Sequence, residues 1–96
     1  MKVLAESAWS WMLLADGDSR ILSVLCGTIG LFELVILLSP SECPADSIDR
    51  QALDALAARI SYSPESYLDR HRPELLDSES ARAAIETWRR HRATLT

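Results

Sequence analysis

Two periodicities divide the chain near residue 39. Before it, apolar residues alternate or run together in pieces of strand length; after it they recur every three to four positions. In residues 8–15, AWSWMLLA, Trp9, Trp11 and Leu13 fall on one side of a period-two pattern, with Ala8, Ser10, Met12 and Leu14 on the other. This predicts a strand. Asp16, Gly17, Asp18 and Ser19 follow as a polar group whose Asp side chains can bond their own backbone and whose Gly tolerates positive φ, so the chain turns back on itself. Residues 20–26 and 31–38 read as second and third strands, rich in Ile, Val and Leu, with Gly27 and Gly30 bracketing their connection. Connections this short make an antiparallel meander. Residues 2–6 either extend the first strand or add a short fourth.

Ser39, Pro40 and Glu42 stand at the N-cap, N1 and N3 positions of a capping box. Pro44 cannot continue that helix, so one turn and a break are expected. A new cap at Asp46 or Ser47 then opens a helix over 47–60, whose apolar stripe is Ile48, Leu53, Leu56, Ala57 and Ile60. Ser63, Pro64 and Glu65 start a short helix through Leu68 that must end before Pro73. Asp77 or Ser78 caps a last helix carrying Ala81, Ala84, Ile85 and Trp88 on one stripe. The expected fold is α+β: a three-stranded antiparallel β-meander over 1–38, followed over 39–96 by two longer helices and one short helix packed on one face.

Residues 21–38, ILSVLCGTIGLFELVILL, form an 18-residue stretch whose only charge is Glu33. At ~1.5 Å per residue it is about the shortest helix that crosses a ~30 Å hydrocarbon core, so a membrane-anchored protein is a competing reading. Glu33 in hydrocarbon, the two glycines, and the lack of a flanking Lys/Arg cluster favour strand, turn, strand.

With 96 residues and 10.7 kDa the chain has room for one domain. Its 48% hydrophobic and 25% charged residues are the balance of a folded chain. Net charge is −4, which opposes a polyanion as partner and argues against nucleic acid unless a basic patch is strongly localised. One basic run exists: Arg89, Arg90 and Arg92, around His91, form a possible anion contact. Cations also complement a helix C-terminus, and three charges neutralise few phosphates. Cys26 and Cys43 form no CxxC pair, no export signal is evident, and a reducing cytoplasm is the expected home.

No residue set fixes a chemistry. His71 and His91 stand alone beside arginines, without the further ligands that zinc needs, and no cofactor is implied. Asp16, Gly17 and Asp18 share the start of a calcium-loop pattern, but no carboxylate follows at its twelfth position. Cys26, at the end of an apolar strand, is expected to be buried and inert; Cys43, beside a helix start, has the better prospect of a lowered pKa. A small enzyme or accessory subunit would gather Tyr62 or Tyr67, His71 and Asp69 in a pocket near residues 62–72.

The informative feature is an apolar surplus. After Glu33 the third strand is apolar on both sides, and the first strand sets two tryptophans against Met12 and Leu14. Helices on one face would leave the other bare, and a bare apolar face calls for a second copy or another protein. The function expected is therefore a small non-catalytic protein-interaction module, of regulator, adaptor or toxin-neutralising type, with Trp9, Trp11, Phe32, Leu34, Tyr62 and Tyr67 as its possible surface.

Overall fold

A computed structural model describes residues 1–7, 10–26, 32–44 and 47–95, and the side chains among them up to residue 91. Four strands form one antiparallel sheet in chain order: β1 (Lys2–Ser7), β2 (Trp11–Asp16), β3 (Ser19–Cys26) and β4 (Phe32–Leu38). The sheet thus has four strands where three were expected, because residues 2–7 pair with β2 as a strand of their own. Between β2 and β3, Asp16 pairs with Ser19 across Gly17 and Asp18, and Gly17 takes φ 62°, the left-handed conformation that favours glycine. The expected Gly27–Gly30 connection, with Ala8 and Trp9, lies outside the described residues.

The capping box at Ser39 closes a single turn and no helix. Glu42 Oε1 accepts from the Ser39 amide at 2.9 Å, and the Cys43 amide reaches back to the Ser39 carbonyl at 3.0 Å. Helix α1 (Arg50–Tyr62) starts later than expected, because Asp49 is the residue that caps it: its carboxylate accepts from the Ala52 amide at 3.1 Å. Ile48 therefore lies before the helix and stays exposed, while Leu53, Leu56, Ala57 and Ile60 are buried as their spacing requires. Two 3-10 segments follow, Pro64–Arg70 and Pro73–Leu76, each with proline in its first turn. Ser78 Oγ accepts from the Ala81 amide at 3.1 Å and leads into α2 (Glu79–Leu95).

Alternation along the strands gives the sheet two apolar faces, and the chain covers both. Trp11, Leu13, Leu22, Val24, Leu34 and Ile36 point to the first face and are closed over by α1, with Tyr67 at the margin. Val3, Leu14, Ile21 and Val35 point to the second face, where Leu75, Leu76, Ile85 and Trp88 pack on them. The expectation that all helices share one face is corrected here. Ala81, Ala84, Ile85 and Trp88 do form one stripe, but Ile85 and Trp88 pack on the face carrying Leu14, Ile21 and Val35, which α1 leaves uncovered. The stretch 21–38 supplies β3 and β4, and among the described residues no helix is long and apolar enough to cross a membrane.

Candidate functional site

The second face is covered along only part of its length. Across the sheet the register sets Glu6 opposite Met12, Met12 opposite Ser23, and Leu25 opposite Glu33, so these side chains share that face near the start of β2. Here α2 passes with Ile85 and Arg89, four apart and so on one side of the helix, and Leu76 closes the end. A groove of about 590 Å³ results, with Met12 and Leu25 on its floor.

Its polar groups are arranged by the pleat. Ser23, in an otherwise apolar stretch of β3, is buried, and its Oγ donates to Glu33 Oε2 at 2.5 Å. Val35 is the direct neighbour of Ser23, so Glu33 reaches it on the diagonal, within range of a long side chain. This is how the lone charge of the 21–38 stretch is accommodated: on the open part of the second face, held by one hydroxyl. Glu6 is fixed by Trp88, whose indole Nε1 donates to its Oε1 at 3.0 Å. Arg89 is exposed on the rim. The groove therefore combines an apolar floor, two carboxylates and a guanidinium.

The residues expected to form an interaction surface are not brought together. Trp11 is 3% exposed, with its Nε1 donating to Asp54 Oδ1 at 2.7 Å and the Arg50 guanidinium 5.3 Å from its ring centroid. Leu34 is 1% exposed inside the first-face core. Strand parity points both at α1, and Trp11 also borders the groove near the start of β2. Phe32 and Tyr62 are exposed, Tyr67 is half-buried against the first-face core, and Trp9 lies outside the described residues. Of the basic run, Arg90 pairs with Glu86 one turn back, Arg89 borders the groove, and the Arg92 side chain lies outside the described residues.

Among the described residues, those of the 62–72 segment lie apart from this groove. Tyr62 is 90% exposed, Asp69 is exposed, and His71 Nδ1 is engaged by the Val35 amide at 3.0 Å. Cys26 and Cys43 are both free and buried. Burial pushes both thiols up, and at Cys43 it outweighs the opposing charge of Arg20, which corrects the expected lowering there. Among the described residues no group of three His, Cys, Asp or Glu side chains could hold a metal ion. No protein-family model, curated protein or solved structure matches the chain.

Sequence reasoning passed over Ser23 and Leu25 and valued Glu33 only as an argument against a membrane span. Ser23 and Glu33 interrupt apolar runs of their strands, and the register between β3 and β4 is what sets them on one face.

Proposed function

We propose that the chain is a small non-catalytic protein-interaction module, of regulator, adaptor or toxin-neutralising type, which receives a segment of a partner protein in the groove on the second face of its sheet. The observation that carries this reading is the lining of that groove. Its size is that of a ligand-binding cleft, ~300–1,000 Å³, and Met12 on the floor is a side chain that adapts to what it meets. Glu33 keeps one carboxylate oxygen without a partner among the described residues, and Arg89 has none there. An apolar side chain on the floor with a basic group at Glu33 satisfies both kinds of lining: burial supplies affinity and charge fixes orientation.

A bare sheet face calls for a homodimer or another protein; with α2 lying on part of that face, we read the partner as a different protein. Two unpaired thiols fit a reducing, cytoplasmic setting. Selection from a display library of short random peptides tests the reading. Enriched peptides should carry Lys or Arg beside an aromatic or aliphatic residue, and should bind about tenfold more weakly to Leu25→Asp and Glu33→Lys. Failure to enrich any peptide, or equal binding to the variants, overturns it. A mass that doubles in light scattering would assign the groove to a second copy instead.

A further inference from the structure

Both outer edges of the sheet are protected against strand addition, and by different means. On β1 the register shifts between Val3 and Ala5, and Arg50 Nη2 donates to the Glu6 carbonyl at 3.0 Å. On β4 the protection comes from the segment joining the two 3-10 segments. The Arg72 amide donates to the Val35 carbonyl at 2.7 Å, Arg70 Nη2 donates to the Leu37 carbonyl at 3.2 Å, and Ile36 and His71 form an antiparallel bridge. The Val35 amide, pointing outward from the edge, donates to His71 Nδ1 at 3.0 Å.

Of the six groups in these three hydrogen bonds, five do not change with pH. A backbone amide, a guanidinium and a carbonyl keep their donor or acceptor character throughout the physiological range. His71 does not. It accepts only while Nδ1 carries a lone pair; an imidazolium has donors on both nitrogens and sets one N–H against another.

We propose that residues 70–72 are an acid-releasable clasp on the outer edge of β4, and that protonation of His71 opens it. Opening bares the Val35 amide and carbonyl and the Leu37 carbonyl, the groups through which an added strand would pair. The charged groups on the elements packed here are Glu65, Asp69 and Arg70 from the first 3-10 segment, Arg72 beside it, Glu74 from the second, Glu42 beneath Arg70, and Glu33 from β4. Arg70 bonds both oxygens of Glu42, at 2.7 and 3.0 Å, and holds that carboxyl down at about 2. Glu74 is also lowered, by its own backbone N–H and then by Arg72. Neither supplies a change of charge above pH 5, whereas the imidazole side chain is the one that ordinarily changes charge between pH 5 and 8. The clasp is thus closed while His71 Nδ1 holds its lone pair and open once that nitrogen is protonated.

Amide hydrogen exchange of the intact chain, followed residue by residue by NMR, tests the proposal. After correction for the intrinsic pH dependence of exchange, Val35 should exchange about five- to tenfold faster at pH 5 than at pH 7.5, while Leu13 and Leu22 in the inner strands stay unchanged. His71→Asn keeps an acceptor oxygen where Nδ1 stands and cannot take the proton, so Val35 should stay protected at both pH values. His71→Ala should leave Val35 fast at both. A Val35 rate independent of pH in the unmodified chain, or the same acid response in His71→Asn, overturns the proposal, as does acid loss of protection that Leu13 and Leu22 share equally.

Discussion

On the first face of the sheet the apolar core holds fourteen buried residues among those described, four of them from α1; on the second, the apolar cluster holds four and its other members are half-buried. The two helices explain the difference. From α1, Leu53, Leu56 and Ile60 offer three branched side chains at helical spacing. From α2, Ala81 and Ala84 offer almost no bulk, so contact falls to Ile85 and Trp88, and the helix stands off from Met12 and Leu25. A dry face excludes polar groups, and Ser23, Glu33, Glu6 and Arg89 are all on or beside the other one. Stability and recognition are thus assigned to opposite sides of one sheet, and one-residue alternation along each strand decides which residue serves which.

The largest test of that contrast is truncation. Leu22→Ala or Ile60→Ala, fully buried on the first face, should cost ~3–5 kcal/mol, and Ile85→Ala on the second ~1 kcal/mol. Urea unfolding measures both. Equal costs would mean that the two faces are equally packed and that the groove is not a consequence of how α2 is seated.

A smaller effect separates burial from charge. The Arg70–Glu42 pair ties the turn after β4 to the first 3-10 segment. Because Glu42 is lowered from 4.5 to about 2, chiefly by its bond from Arg70, its contribution is complete above about pH 5 and is lost as pH falls toward 2. Arg70→Gln should destabilise by ~1–2 kcal/mol at pH 7 and by clearly less at pH 2, where the Glu42 pair is largely lost and the bond to the Leu37 carbonyl remains. Urea melts at the two pH values check it. For Leu22→Ala, in contrast, the cost should be the same at both.

Much of this was legible in the residues. The strands, the turn at Gly17 and the stripes of both helices follow from periods of two and of three to four, because burial acts on each element separately. Strand alternation alone does not say which side a distant helix will cover, and α2 lies on the face that α1 leaves open. The groove was hidden for the same reason: Met12, Leu25 and Glu33 become neighbours only through the register of three strands. The role of Asp49 was missed because Asp46, Ser47 and Asp49 are all good caps, and local propensity does not rank them.

The smallest effects expected lie away from both faces. Gly17→Ala meets no atom within 4 Å, so its cost is only that of the left-handed backbone, ~1–2 kcal/mol. Arg90→Ala removes an exposed pair with Glu86 and should change stability by less than about 0.5 kcal/mol. A cost at Gly17 matching that at Leu22 would place the hairpin tip, and not the first face, at the centre of stability.

Site-specific photo-crosslinking compares the two sides most directly. A benzophenone side chain is placed at Leu25, in the groove, and in a separate chain at Ala55, on the exposed side of α1. Each is irradiated in native extract, and the adducts are identified by mass spectrometry. The account predicts one dominant protein adduct from position 25, absent from position 55 and lost when Glu33→Lys is added. The same adducts from both positions, or a dominant adduct only from position 55, would contradict it.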